Sequence, residues 1–147
     1  MQNFQEFLEN SLQQNIKKLV PLTGGASADI NRIILENNNE LIVRRSLSKE
    51  QSVMAVPKKL EAKIQRIVRS NDAPVPEIIF EFSEDEDIGE GYVMEAISGE
   101  TIPRKILRDD KYKNVGSKLS FEIGRSLSTI HQTKLDELTD LDSVTFD

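Results

Sequence analysis

The chain contains no cysteine, no tryptophan and a single histidine among its 147 residues. Without cysteine it can form neither a disulfide nor a thiolate metal site, and one histidine excludes a histidine-rich metal centre. Cations are also in the minority, since 19 lysines and arginines face 25 acids and give a formal net charge of −6. Because nucleic-acid phosphates bind basic surfaces, we expect no nucleic-acid partner.

Long apolar runs are also lacking. No stretch approaches the roughly 18 apolar residues of a membrane-spanning helix, and Met1 to Phe4 do not begin a signal peptide. The length suits one domain with its own core, and 37% hydrophobic with 30% charged residues is ordinary for a soluble globular protein. We therefore expect a cytoplasmic protein with no membrane partner.

Helical spacing of apolar residues occurs in four stretches. Lys17 and Lys18 would lie at the carboxyl end of the first, where cations favour the helix dipole. Pro57 would lie in the first turn of the second, and Thr101 would cap the third. The predicted helices are Phe4 to Ile16, Lys49 to Arg69, Thr101 to Leu107, and Val115 to His131.

Five strand-like segments are separated by turn-forming residues. Two glycines at 24 and 25 and the run Asn37-Asn38-Asn39 predict the first two turns. The acidic run Glu84 to Asp87 lacks the spacing of a calcium loop and predicts a hairpin turn. The segments are Leu19 to Leu22, Ala28 to Leu35, Leu41 to Arg44, Glu77 to Phe82, and Tyr92 to Met94. Their order predicts an α+β fold with a mostly antiparallel five-stranded sheet, a helix packed on it, and flanking helices.

The third strand ends in a cation. Side chains two apart share a face of a strand, so Ile42 and Arg44 would point to one side and Arg45 to the other. An apolar wall followed by a positive charge suits a nucleotide, which has a base to bury and phosphates to neutralise. Glu61 sits beside the apolar stripe of the second helix, so its carboxylate can reach toward a neighbouring strand.

Four motifs follow one another along the chain: Leu22 to Ile30, Leu41 to Arg45, Pro74 to Pro76, and Gly91 to Glu95 with Ser98-Gly99-Glu100. Together they resemble the N-terminal lobe of protein-kinase-like phosphotransferases, specifically the aminoglycoside phosphotransferase family. The closest likeness is to its branch related to the kinase-like domains of acyl-CoA dehydrogenase fusions. The resemblance implies a nucleotide-binding N-lobe over residues 1–97. Residues 98–147 would then be a hinge, a linker and the first helix of a C-lobe.

The resemblance also implies residue roles. Arg44 would take the place of the phosphate-binding lysine of kinases, an exchange usual in the branch named, and Glu61 would be its ion-pair partner. Met94 would be the gatekeeper, and Glu95 to Ile97 the hinge whose backbone bonds the base. The remaining predicted nucleotide contacts are the phosphate loop Gly24, Gly25, Ala26 and Ser27 and the apolar walls Ile30, Ile42 and Ile97.

The catalytic motifs of that family do not occur in the chain. No aspartate stands in a His-Gly-Asp motif with a downstream asparagine, and no later magnesium-binding aspartate is recognisable. We therefore expect that the chain cannot transfer phosphate alone, because both positioning and charge neutralisation are absent. The simplest explanation is a fragment, and the alternative is a natural stand-alone lobe. The implied whole would transfer the γ-phosphate of ATP or GTP, with magnesium, to a hydroxyl acceptor bound by the missing C-lobe.

Two other functions remain open from the sequence. One is a non-catalytic kinase-like module used for binding or regulation, and the other is an acidic interaction domain whose hairpins hold no ligand. An isolated lobe would also expose apolar surface where the C-lobe joins, so two copies could dimerise there.

Overall fold

A computed structural model describes residues 3–22, 29–47, 56–83 and 87–134. These residues form an α+β fold, which confirms the predicted class. In chain order the elements are α1 (Phe4–Leu12), β1 (Ile16–Pro21), β2 (Asp29–Leu35), β3 (Glu40–Ser46), α2 (Lys58–Ser70), β4 (Ile78–Ser83), β5 (Glu90–Glu95), α3 (Pro103–Arg108), a 3₁₀ helix (Asp110–Tyr112) and α4 (Lys113–His131).

The chain divides into two compact units. The first comprises Met1–Arg66 and Pro76–Ala96, and the second comprises Ile67–Val75 and Ile97–Asp147. All five strands belong to the first unit, whereas α3 and α4 belong to the second. The division into a nucleotide-binding part and a linker after residue 97 stays a prediction.

The five strands form one sheet in the order β1-β2-β3-β5-β4, and every neighbouring pair is antiparallel. The predicted asparagine turn joins β2 to β3. Asn38 has a positive φ of 63°, and the side chain of Asn37 accepts the Asn39 N–H at 2.9 Å. The antiparallel pairing of β4 and β5 is as predicted, although residues 84–86 of the predicted turn lie outside the described ranges.

One face of the sheet packs against α1. Alternate residues of β2 are buried there, and Phe7 of α1 stands edge-on to Phe82 with 5.2 Å between ring centroids. This cluster is the larger of the two cores in the first unit. Its buried members are Leu8, Ile16, Ile33, Leu35, Val43, Phe82, Ile88 and Val93.

The opposite face packs against α2 through a smaller cluster of Ala62, Ile78 and Tyr92, with Met94 beside it. Helix α2 is fixed at its start by a residue from the sheet. The Lys58 N–H donates to Oε1 of Glu90 on β5 at 2.9 Å, and a carboxylate at this end complements the helix dipole.

Two predicted helix starts are placed differently. Pro57 precedes α2 instead of lying in its first turn, and its carbonyl accepts the Glu61 N–H at 3.0 Å. Residues 49–55 of the predicted helix lie outside the described ranges. Thr101 does not cap α3, which begins at Pro103. The Glu100 carboxylate accepts the N–H groups of Thr101 and Ile102 instead, at 3.1 and 3.0 Å.

The first helix is shorter than predicted. It ends at Leu12 because Gln13 adopts a left-handed φ of 54° and donates its N–H back to the Glu9 carbonyl. Ile16 and the two lysines after it therefore begin β1, and the predicted helix over them is wrong. Ile16 is buried in the same cluster as Leu8 of α1, but it belongs to β1. Its match to the helical spacing is therefore a coincidence.

In the second unit, α3 and α4 have no buried residue within their bounds. A 3₁₀ helix at Asp110–Tyr112 leads directly into α4, which begins at Lys113, two residues before the predicted start at Val115. Phe121, Ile123 and Leu127 of α4 are exposed, and dimerisation through such a surface stays a prediction. No helix in the described ranges is both long enough and apolar enough to cross a lipid bilayer.

Candidate functional site

The predicted ion pair between β3 and α2 is present. Arg44 Nε donates to Glu61 Oε2 at 2.8 Å, and Arg44 Nη2 reaches Oε1 at the longer distance of 3.4 Å, across 17 residues of sequence. Both side chains are partly buried, at 22% and 23% exposed. The sequence thus predicted the contact correctly, whereas its role in binding a nucleotide stays a prediction.

Strand register gathers three more of the predicted residues on this face of the sheet. Ile30 lies directly opposite Arg44, and Met94 lies directly opposite Ile42. Because Ile42 and Arg44 are two apart on β3, all four side chains share the face on which Glu61 stands. The apolar wall and the cation are therefore neighbours.

Two site residues were not predicted from the sequence, Lys58 and Tyr92. Lys58 Nζ donates to Glu61 Oε1 at 2.6 Å and to the Val56 carbonyl at 3.3 Å. The Tyr92 hydroxyl donates to Glu61 Oε2 at 3.2 Å. Lys58 is only 3% exposed and Tyr92 only 4%. The sequence held a signal for each, because Lys58 precedes Glu61 by one helical turn and Tyr92 shares a strand face with Met94.

Electrostatics keep this cluster in one protonation state at neutral pH. Burial tends to raise the pKa of Glu61, but hydrogen bonds from Arg44 and Lys58 and their positive charges outweigh it and lower that pKa below 4.5. The Glu61 carboxylate raises the pKa of Arg44. Burial and the nearby Glu61 charge raise the pKa of Tyr92 to about 12. At neutral pH, Arg44 is therefore a cation, Glu61 a carboxylate and Tyr92 a neutral phenol.

The structure describes the other predicted residues only in part. The phosphate loop of Gly24, Gly25, Ala26 and Ser27 lies outside the described residues. Glu95 pairs with Leu41 and so points to the opposite face, and its N–H donates to the Glu77 carbonyl at 2.9 Å. Because the sheet uses that N–H, a bond from the hinge to a base would have to come from another backbone group. Ile97 lies in the second unit and is 63% exposed.

No three acidic or histidine side chains come close enough to hold a metal ion within residues 3–22, 29–47, 56–83 and 87–134. The chemistry these residues support is the binding of an anion. A guanidinium offers a planar fork of N–H donors that fits phosphate oxygens, and the adjacent apolar side chains offer a surface for a flat ring.

Comparison of the chain with protein-family models, with curated proteins and with solved structures gave no match. The likeness to kinase-like phosphotransferases thus rests on the residues of the chain itself.

Proposed function

We propose that this chain is the nucleotide-binding lobe of a small-molecule phosphotransferase, which transfers the γ-phosphate of ATP or GTP to a hydroxyl acceptor. The observation that carries the proposal is the Arg44–Glu61 pair, with 2.8 Å between Nε and Oε2, on the sheet face that also holds Ile30 and Ile42. This pair connects the central strand to the helix packed on it.

The base and the phosphates would contact different parts of this sheet face. Transfer of a purine base from water to an apolar surface is favourable, and Ile30, Ile42 and Met94 provide such a surface. The phosphates need a fixed positive charge at the end of that surface, and Arg44 lies two residues beyond Ile42 on the same face of β3. Glu61 restricts the rotamers of Arg44, so less conformational entropy is lost when a phosphate binds.

Magnesium would bind with the nucleotide and neutralise phosphate charge. Its ligands, the general base and the acceptor site are proposed to lie in a C-terminal lobe. The share of the reaction assigned to the described residues is to bind the base and to orient the phosphates. A non-catalytic kinase-like module would bind nucleotide in the same way but would transfer nothing, so only a transfer assay of the full-length protein separates the two.

The first test is a titration of the ¹⁵N-labelled 147-residue chain with ATP and with GTP, each with magnesium. We expect amide shifts centred on Ile30, Ile42 and Arg44, with the pairs at the far end of the same hairpin, such as Ile34 opposite Glu40, unchanged. If saturating nucleotide left the amides around Arg44 unshifted, the phosphotransferase lobe and the non-catalytic binding module would both be excluded. That result would favour an interaction domain without a ligand.

A further inference from the structure

Lys58 is an unusual residue in this site, because its ammonium group is almost fully buried, with the side chain 4% exposed. Lysine is rarely buried without a partner, since removing its charge from water is costly. Its partner here is Oε1 of Glu61, at the short distance of 2.6 Å. The position of Lys58 is also fixed through its backbone, whose N–H bonds Glu90.

The two oxygens of Glu61 are shared unequally among their donors. Oε2 accepts Arg44 Nε at 2.8 Å and the Tyr92 hydroxyl at 3.2 Å. Oε1 is held by Lys58, and the second bond from Arg44, through Nη2, is stretched to 3.4 Å. A carboxylate that faces arginine alone commonly forms two parallel short bonds. The short contact of Lys58 thus accompanies a pair in which Arg44 is held firmly by Nε only.

We propose that Lys58 is a positioning residue that keeps the terminal nitrogens of Arg44 available for an anion. By occupying Oε1, it prevents Glu61 from locking both the Nε and the Nη2 of Arg44. The anion it serves is the phosphate chain of the nucleotide, so this inference rests on the proposed function. Lys58 itself does not need to touch the ligand.

The direct test uses the protein without ligand. In Lys58→Met, Glu61 is expected to take up both short bonds to Arg44. Rotation about the Arg44 Cζ–Nη bonds should then slow, and the averaged terminal N–H signals of the wild type should separate in ¹⁵N NMR spectra. The signals are assigned by their loss in Arg44→Lys. Identical Arg44 signals in wild type and Lys58→Met would overturn the inference, because Lys58 would then be only a packing and charge partner of Glu61.

A binding experiment tests the consequence. Lys58→Met should weaken ATP binding about tenfold, the equivalent of one charge-assisted hydrogen bond, while leaving adenosine binding unchanged. Lys59→Met is the matched control, since it removes the same charge from an exposed neighbour on the same helix. Equal losses in the two lysine variants would mean that general charge, not the position of Arg44, matters, and would overturn the inference.

A double-mutant cycle separates action through Arg44 from direct binding. Adding Lys58→Met to Arg44→Met should cost no further ATP affinity, whereas a full additional loss would show that Lys58 acts independently. If Lys58→Met does not fold, Lys58→Gln keeps a donor near Oε1 and should show the same changes to a smaller extent. Wild-type protein that binds no ATP would defeat the proposed function, while the Arg44 signals would still decide the role of Lys58.

Discussion

Two consecutive arginines at the end of β3 differ in almost every respect except charge. Arg44 points toward α2 and is held by Glu61, with Tyr92 directly opposite it on β5. Arg45 points toward α1, with its Cζ 3.6 Å from the centroid of the Phe4 ring and its Nε bonded to Asp29 at 2.8 Å. The glycine at position 91 is its neighbour on β5.

The difference shows how one strand can serve both the core and a site. Arg45 is 13% exposed and joins α1 to the start of β2, and its buried Nη1 finds no hydrogen-bond partner within the described residues. Such a guanidinium acts as packing between elements. Arg44 is held mainly through one nitrogen beside an apolar wall, which suits its proposed role in binding a ligand.

The largest loss of stability should come from a substitution at Gly91, which lies opposite Arg45. A Cβ there would lie 2.5 Å from the Arg44 carbonyl oxygen, 2.6 Å from the Phe82 ring and 2.9 Å from the Arg45 Cβ. Gly91→Ala should therefore lower the free energy of unfolding by about 3 kcal/mol, measured by urea denaturation. Gly99→Ala is the control, because nothing lies within 4 Å of the added methyl group. Equal stability of the two variants would show that the sheet relaxes around the extra carbon.

Removal of the Arg45 side chain should have the next largest effect. Arg45→Met loses the stacking on Phe4 and the charged bond to Asp29, and should lower the free energy of unfolding by about 2 kcal/mol. Arg32→Met provides a comparison, since Arg32 is 45% exposed and lies 3.5 Å from Glu40 in a surface pair that contributes little. A loss of stability no larger than that of Arg32→Met would contradict the packing role of Arg45.

A third effect, which appears only at high pH, concerns Tyr92 on the Arg44 side. Its pKa is raised from 10 to about 12, so between these values the folded protein keeps a proton that the unfolded chain has lost. The contribution of protonated Tyr92 to the free energy of unfolding is therefore complete below about pH 10 and is lost as the pH rises through about 12. With two tyrosines and no tryptophan in the chain, tyrosinate absorbance can follow this directly. The rise in tyrosinate absorbance near pH 12 should vanish in Tyr92→Phe, and its persistence there would assign that rise to another group.

Much of this arrangement could be predicted from local patterns. Alternation along Leu41 to Arg45 was enough to place the two arginines on opposite faces, and helical spacing brought Glu61 toward the sheet. The five strands and the asparagine turn follow from turn chemistry that acts within a few residues. Such features depend on neighbours in sequence, and the structure agrees with them.

The residues that sequence patterns missed depend in part on contacts distant in sequence. Tyr92 faces Arg44 only because β3 and β5 pair in one register, which no local pattern sets. Burial of Lys58 contradicts the usual exposure of lysine and becomes understandable only with Glu61 and Glu90 in place. The end of α1 was mispredicted because Ile16 fits the helical spacing of apolar residues but is buried as part of strand β1.

The proposed function requires that Arg44 binds the phosphates of a nucleotide. Its most direct test compares ATP affinity, by calorimetry, between Arg44→Met and Arg66→Met, each first shown to be folded. Arg66 lies on α2, is 41% exposed and pairs with Glu81, so its variant removes the same charge from a different place. We expect Arg44→Met to lose at least about tenfold in ATP affinity, whereas Arg66→Met should stay close to wild type. Equal affinity in the two variants would contradict it.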